Sequence, residues 1–272
     1  MNQHSWPAIR AIVPIQPDVR RKTRSYTAKL IEWNPYAKKS MALFFQFETG
    51  EGPGSLEIIP DNCINFFFCR EDVPSALVSG FGLKREIRQL EPNALYFGVK
   101  PYTVQGVRQH RIGWGETVGE MTDFFEMFGR QAVVEQICLA ENFEKRISLF
   151  QDFAKTHLIN ENYCPDLVEY SELMMCSARG NLKIEELSRK LGYTSRHCRE
   201  HFKNAHGISI KCYSEILRFQ NAVRMMEENS CSIADIVFEN NYYDQSHLIR
   251  EFKRFTDFTP VDFRKRYMQR DS

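Results

Sequence analysis

The last third of this chain repeats a helix-turn-helix pattern, and that repeat limits the fold more than any other feature. Between Leu182 and Gly207, Ile184, Leu187 and Leu191 fall on one stripe of a short helix. Gly192 ends it, since glycine tolerates the left-handed backbone past a helix C-terminus. Tyr193 is expected to pack the turn, and Thr194 stands where the next helix needs an N-cap. In that next helix Cys198 and Phe202 share the inward face. Arg196, Arg199, Glu200 and Lys203 lie on an outward arc, with His197 on its other flank. The pattern then recurs. Ile233 and Ile236 repeat Ile184 and Leu187, Asn241-Tyr242 replaces Gly192-Tyr193, Asp244 takes the cap position, and Leu248 and Phe252 repeat Cys198 and Phe202. The offset grows from 49 to 50 across the turn, so the second turn holds one extra residue. A long amphipathic helix over Ile210–Glu228, with Leu217, Ala222 and Met225 among its apolar positions, joins the two units.

A helix of this kind fits the DNA major groove with the polar side chains of its first turns at base edges. Two units on one rigid helix suit successive major-groove segments, which lie about 34 Å apart on one face of the duplex. Charge supports this only mildly. The whole chain carries a net +1, and Ser171–Ser272 holds 17 Lys and Arg against 14 Asp and Glu.

Taken jointly, these spacings resemble the DNA-binding domain of the AraC/XylS family of transcription regulators. The resemblance rests on Ile184-x-x-Leu187, Gly192-Tyr193-Thr194, Phe202-Lys203, Gly207, Arg218-Phe219 and Ala222 in the first half. It continues through Ile233-x-x-Ile236, Asp244-x-Ser246-His247-Leu248, Phe252-Lys253 and Thr259-Pro260-x-x-Phe263-Arg264. The chain departs from the family at Asn241 and Asp257, where glycine is usual, at Ser188 and Val237 in place of alanine, and at Leu248 in place of phenylalanine. The resemblance implies Arg196, Arg199 and Glu200 as base readers of the first unit, with Thr194 and His197 beside them, and Gln245, Ser246, His247 and Arg250 as readers of the second. Arginine suits the paired acceptors of guanine, and glutamine can pair with adenine. Lys203, Lys253 and Arg254 are expected on phosphates, while Arg218 and Arg264 match positions that serve structure.

The first half reads as β-rich. Met41–Phe47, Cys63–Cys69 and Asn93–Val99 are short apolar runs bounded by turn signals such as 50–54 and 60–62. Both faces of Cys63–Cys69 are apolar, so that strand is expected to be buried on both sides. Ile58–Asn65 and Tyr96–Tyr102 resemble two signatures of a β-rich, cupin-like N-terminal domain in a group of AraC-type regulators. That resemblance implies a domain that senses a small molecule, dimerises, or both. Phe66, Phe67, Phe68, Phe81, Tyr96, Phe97 and Trp114 either line a ligand pocket or form a solid aromatic core. From Thr117 the pattern turns helical, with Phe124, Phe128, Leu139, Phe143, Ile147 and Phe150 at three- and four-residue intervals, and 160–165 reads as a loop. The basic run Arg20–Arg24 reads as a solvated loop, with a brush against DNA as the alternative.

The expected architecture is therefore α+β: a regulatory domain over 1–116, a helical connector over 117–165, and a DNA-binding domain over 166–272. Its 272 residues suit two domains. The expected partners are double-stranded DNA, a small-molecule effector, RNA polymerase and a second copy of the chain. A front domain that binds a protein, or only dimerises, is the alternative. An enzyme is not expected, because no G-x-S-x-G, H-E-x-x-H or phosphate-loop motif occurs. The eight cysteines show no zinc spacing, so no metal or cofactor is expected, and the absence of a long apolar run makes a cytoplasmic protein the default.

Overall fold

A computed structural model describes residues 14–34, 41–52, 54–71, 73–102, 112–159, 166–228 and 231–268. The 160–165 segment and Cys164 lie outside this set. A short helix α1 (Pro17–Lys22) precedes strands β1 (Ser25–Glu32), β2 (Met41–Glu48), β3 (Gly54–Ile58), β4 (Asn65–Arg70), β5 (Ser75–Ser79), β6 (Glu86–Leu90), β7 (Leu95–Pro101) and β8 (Met121–Asp123). Six of them form an antiparallel sheet in the order β1-β2-β7-β4-β5-β8, and β3 pairs with β6 in a second, smaller sheet.

Alternation along the strands explains the layering. Phe44, Phe66, Phe68, Phe97, Val78 and Val99 point to one face of the large sheet, where all are fully buried. Three helices cover that face: α2 (Phe124–Phe128), α3 (Val133–Leu139) and α4 (Phe143–Phe153), the last running on into a π-helical turn, Ala154–Leu158. Phe150 of α4 meets Phe44, Phe66 and Phe68 at ring distances of 5.3–6.0 Å. The opposite face carries Phe45 and Phe47, which pack with Val19 of α1 and Leu56 of β3. The middle of the sheet is thus buried on both sides, as expected for β4, while the edge strand β1 stays mostly exposed.

Three readings of the sequence need correction. The helices expected as a connector lie on the sheet and complete its core, and β8, from the same stretch, pairs with β5. Leu139 does not join them, being 59% exposed at the end of α3. The basic run is mostly helix α1 rather than a loop; it is solvated, as read, though Arg21 and Lys22 pair with the buried Asp18 and Arg21 donates to the Arg266 carbonyl.

The remaining chain is helical: α5 (Leu167–Ser177), α6 (Ile184–Leu191), α7 (Ser195–His206), α8 (Ile210–Glu227), α9 (Ile233–Glu239), α10 (Gln245–Thr256) and α11 (Pro260–Tyr267). The first unit, α6–α7, shares one continuous apolar core with the front sheet, through Leu187, Cys198, Phe202 and Tyr213. The second, α9–α10, forms a separate core with α8 and α11 around Phe219, Phe252, Phe255 and Phe263, which Ile59 of the front domain also joins.

Candidate nucleic-acid interface

Both turns form as the sequence requires. Gly192 has φ +74°, and its N–H returns to the Arg189 carbonyl. Thr194 accepts a hydrogen bond from the His197 backbone N–H at 3.2 Å, capping α7. In the second unit Asn241 holds φ +53°, so the asparagine takes over the glycine's conformation, as its short polar side chain allows. Asp244 caps α10 through the His247 N–H at 2.7 Å. The two turns differ in their tyrosines. Tyr242 is buried and donates to Glu251 at 2.5 Å, and Arg218 stacks over its ring while pairing with the same carboxylate. Tyr193 does not pack inward; it is half exposed and stacks on His197 at 4.9 Å. The extra residue of the second turn is Tyr243, which is 92% exposed.

The inward stripes are as read. Cys198, Phe202, Leu248 and Phe252 are wholly buried. Ser188, the departure from alanine, hydrogen-bonds to the Ser195 hydroxyl at 3.0 Å and to the Glu185 carbonyl, so its polar atom is satisfied where α6 meets α7.

The expected base readers gather on the first turns of the two helices. Arg196 is 87% exposed at the side chain and pairs with Glu200 one turn on, at 2.8 Å. Arg199 reaches back to Glu185 of α6 at 3.8 Å. These exposed pairs are weak in water, so a stronger anion or base edge can displace them. Gln245, Ser246 and Arg250 are exposed on α10. His247 is half-buried, and its Nδ1 accepts from the Tyr243 backbone N–H at 3.4 Å. Lys203 and Lys253 sit exposed in the last turns of α7 and α10. Arg254 lies apart from them: it is bound to Glu215 of α8 at 2.8 Å and stacked on Phe255.

Sequence reading passed over His201, whose ring lies 4.1 Å from His197 and extends the Tyr193–His197 stack along the flank of α7. The four-residue spacing was the available signal. It also passed over His206, fully buried against Phe81 of the front domain and hydrogen-bonded to Glu172 of α5 at 2.6 Å, because nothing local marks a contact across that many residues.

The aromatic residues of the front domain form core rather than a pocket: Phe66, Phe68, Phe81, Phe97 and Trp114 are all buried in contact with protein. A cavity of about 250 Å³ lies instead on the other side of the large sheet. Val19, Tyr26, Leu43 and Phe45 of the front domain line it, with Arg20, Lys100 and, from the end of α8, Arg224, Glu227 and Glu228 supplying charge of both signs. Burial disfavours the Lys100 charge, but its ion pair with the buried Asp61 outweighs this and raises its pKa. Among the described residues no helix is long and apolar enough to cross a membrane, and no group of three or more His, Cys, Asp or Glu is placed to hold a metal ion.

Two capped units joined by α8, each presenting a polar first turn, define a helix-turn-helix DNA-binding domain. Residues 187–266 match the helix-turn-helix domain family, and this part of the chain is an AraC-type domain. A probable transcription factor, PqrA of Proteus vulgaris, is 29% identical over 105 residues, 39% of this chain and 85% of that protein. An uncharacterised helix-turn-helix-type transcriptional regulator of Staphylococcus aureus (strain MSSA476) is 24% identical over 107 residues, which span only 14% of its length. Among solved structures, ToxT from Vibrio cholerae aligns over 90% of this chain and 100% of its own, with 10% identity and a TM-score of 0.46.

Proposed function

We propose that this protein is a sequence-specific regulator of transcription that reads two successive major-groove segments of double-stranded DNA. The observation that carries the reading is the pair of capped helices whose outward first turns hold Arg196, Arg199 and Glu200 in one unit and Gln245, Ser246, His247 and Arg250 in the other. Lys203 and Lys253 supply phosphate contacts from the later turns, and Thr194 fixes the start of α7. Arg254 serves more to tie α10 to α8 than to touch DNA.

Selection from a random duplex library tests this. The expected product is a motif with two elements about one helical turn apart, bound with an affinity that falls as salt rises, at a log–log slope of roughly −0.9 per neutralised phosphate. Binding without sequence preference at every salt concentration sinks the proposal.

Control by a small molecule is part of the same proposal, supported by the cavity beside α1 and α8. An apolar wall facing Arg20 and Arg224 on one hand and Glu227 and Glu228 on the other, with Lys100 taken up by Asp61, suits a compact molecule with an apolar body and a polar group that carries or accepts both signs of charge. Because Arg224 belongs to the helix that joins the two units, occupancy there would bear directly on their placement. A front domain that dimerises is the second reading, favoured by the exposed Leu83 (41%) and Ile87 (57%). Light scattering of the purified protein separates a dimer from a monomer, and contact with RNA polymerase is a further element of the reading, testable by co-purification on the selected DNA.

A further inference from the structure

The front domain touches both recognition helices, and it does so at equivalent places. α7 ends on Gly207 and α10 ends on Asp257, 50 residues later, each in the left-handed conformation with φ of +72° and +66°. Their N–H groups return to the Lys203 and Lys253 carbonyls at 2.7 and 3.0 Å. At the first of these turns the backbone of Gly115 presses so closely that a Cβ on Gly207 would lie 2.7 Å from the Gly115 Cα. At the second, the Arg85 backbone N–H donates to the Phe255 carbonyl at 2.7 Å, and the Arg85 guanidinium reaches Asp257 at 3.1 Å. Both grips fall on the ends of the helices opposite the turns that carry Arg196 and Gln245.

The two grips differ in chemistry. The first unit is fused to the front domain by apolar packing, Phe81 against His206 and Tyr213. The second, besides the buried Ile59 that joins its apolar core, is held by charge and hydrogen bonds. Glu57 of β3, almost fully buried, accepts from Arg85 at 2.6 Å, from Tyr267 at 2.6 Å and from Arg266. Arg85 and Arg266 both stack on Phe258, just past Asp257. An aspartate in a left-handed turn is strained relative to glycine. At Asp257 that strain is matched by a partner for Arg85, whose side chain is only 19% exposed.

We propose that Arg85 and Asp257 are positioning residues, through which the front domain fixes the second recognition helix relative to the first and so sets the spacing between the two DNA elements. The two units have separate apolar cores joined through α8, so the grip at Asp257 adds a further restraint on how the second unit sits relative to the first. With the grip in place, one separation of the reading turns is favoured. The inference rests on the DNA-binding proposal above, and the test keeps the two apart.

The experiment uses the full-length chain as wild type, Arg85→Ala and Asp257→Gly. Each is selected against a random-sequence duplex library. The best wild-type site is then remade with one base pair inserted or removed between its two elements. The wild type is expected to select a single spacing. Both variants are expected to select the same two elements, with their preference for the native spacing reduced roughly fivefold, the coupling that one partly exposed ion pair provides. Asp257→Gly keeps the left-handed turn and all three Glu57 contacts, so it carries the test if Arg85→Ala fails to fold. Variants that keep the wild-type spacing penalty overturn this proposal while leaving the DNA reading intact. A wild type that selects no motif overturns both.

Discussion

Gly192 and Gly207 both hold left-handed backbone, with φ of +74° and +72°, yet they face different surroundings. Around Gly192 a Cβ would meet nothing within 4 Å. Around Gly207 it would overlap the Gly115 carbonyl oxygen and lie 2.8 Å from a Val118 methyl carbon. Gly192→Ala therefore adds only conformational strain, about 1–2 kcal/mol. Gly207→Ala adds the same strain plus the work of moving a packed backbone segment by most of an ångström, about 1–3 kcal/mol more. Its total is expected at about 2–5 kcal/mol. Urea unfolding followed by tryptophan fluorescence measures both, because Trp114 is buried beside Phe66 in the turn that carries Gly115. A blue-to-red change in the folded-state emission is expected for Gly207→Ala and not for Gly192→Ala. Equal destabilisation by the two substitutions, with unchanged emission, would refute the close contact between the front domain and the end of α7.

Three further outcomes are expected. Arg196→Ala should weaken the selected site by about 1–3 kcal/mol and relax preference at one base position, whereas Lys203→Ala should weaken all sequences alike and lower the salt slope by about one unit; titration of every single-base variant of the site checks this, and uniform weakening by Arg196→Ala would make that side chain a phosphate contact. Burial, and then repulsion from Glu172, push the Glu169 carboxyl up to about 7, so the stability it contributes is complete below its unfolded value of about 4.3 and is lost as pH rises through about 7. Glu169→Gln should therefore leave the unfolding free energy from urea titration nearly unchanged at pH 4.3 and raise it at pH 8, by up to about 2–3 kcal/mol; an equal shift at both pH values contradicts this. Burial raises the Glu57 pKa, but hydrogen bonds from Tyr267, Arg266 and Arg85 outweigh it and hold the carboxyl at about 2; its contribution is present above about 4.3 and lost as pH falls towards 2, so Glu57→Gln should flatten that acid limb in circular dichroism.

Much of the DNA-binding half was legible in the sequence because its determinants are local. A glycine or asparagine that must take φ > 0, a threonine or aspartate cap three residues before the N–H it satisfies, and apolar residues on one helical stripe all act within a few residues of each other. Thus Gly192, Asn241, Thr194, Asp244, Phe202 and Phe252 take the conformations and burial that their neighbours dictate. The strands at Met41, Asn65 and Leu95 were likewise marked by apolar runs between turns. What lay beyond the sequence was decided by contacts between distant segments. Whether Phe66 and its neighbours enclose a ligand or fill a core depends on α4, which closes over them and leaves the cavity on the other face of the sheet. Arg21 became a docking residue because the Arg266 carbonyl, 245 positions later, stands beside it. Asp257 reads as an unexplained departure from glycine until Arg85, 172 residues earlier, is found against it. Periodicity fixes which face of a helix is buried, but only the tertiary fold determines what that face, or the end of that helix, is buried against.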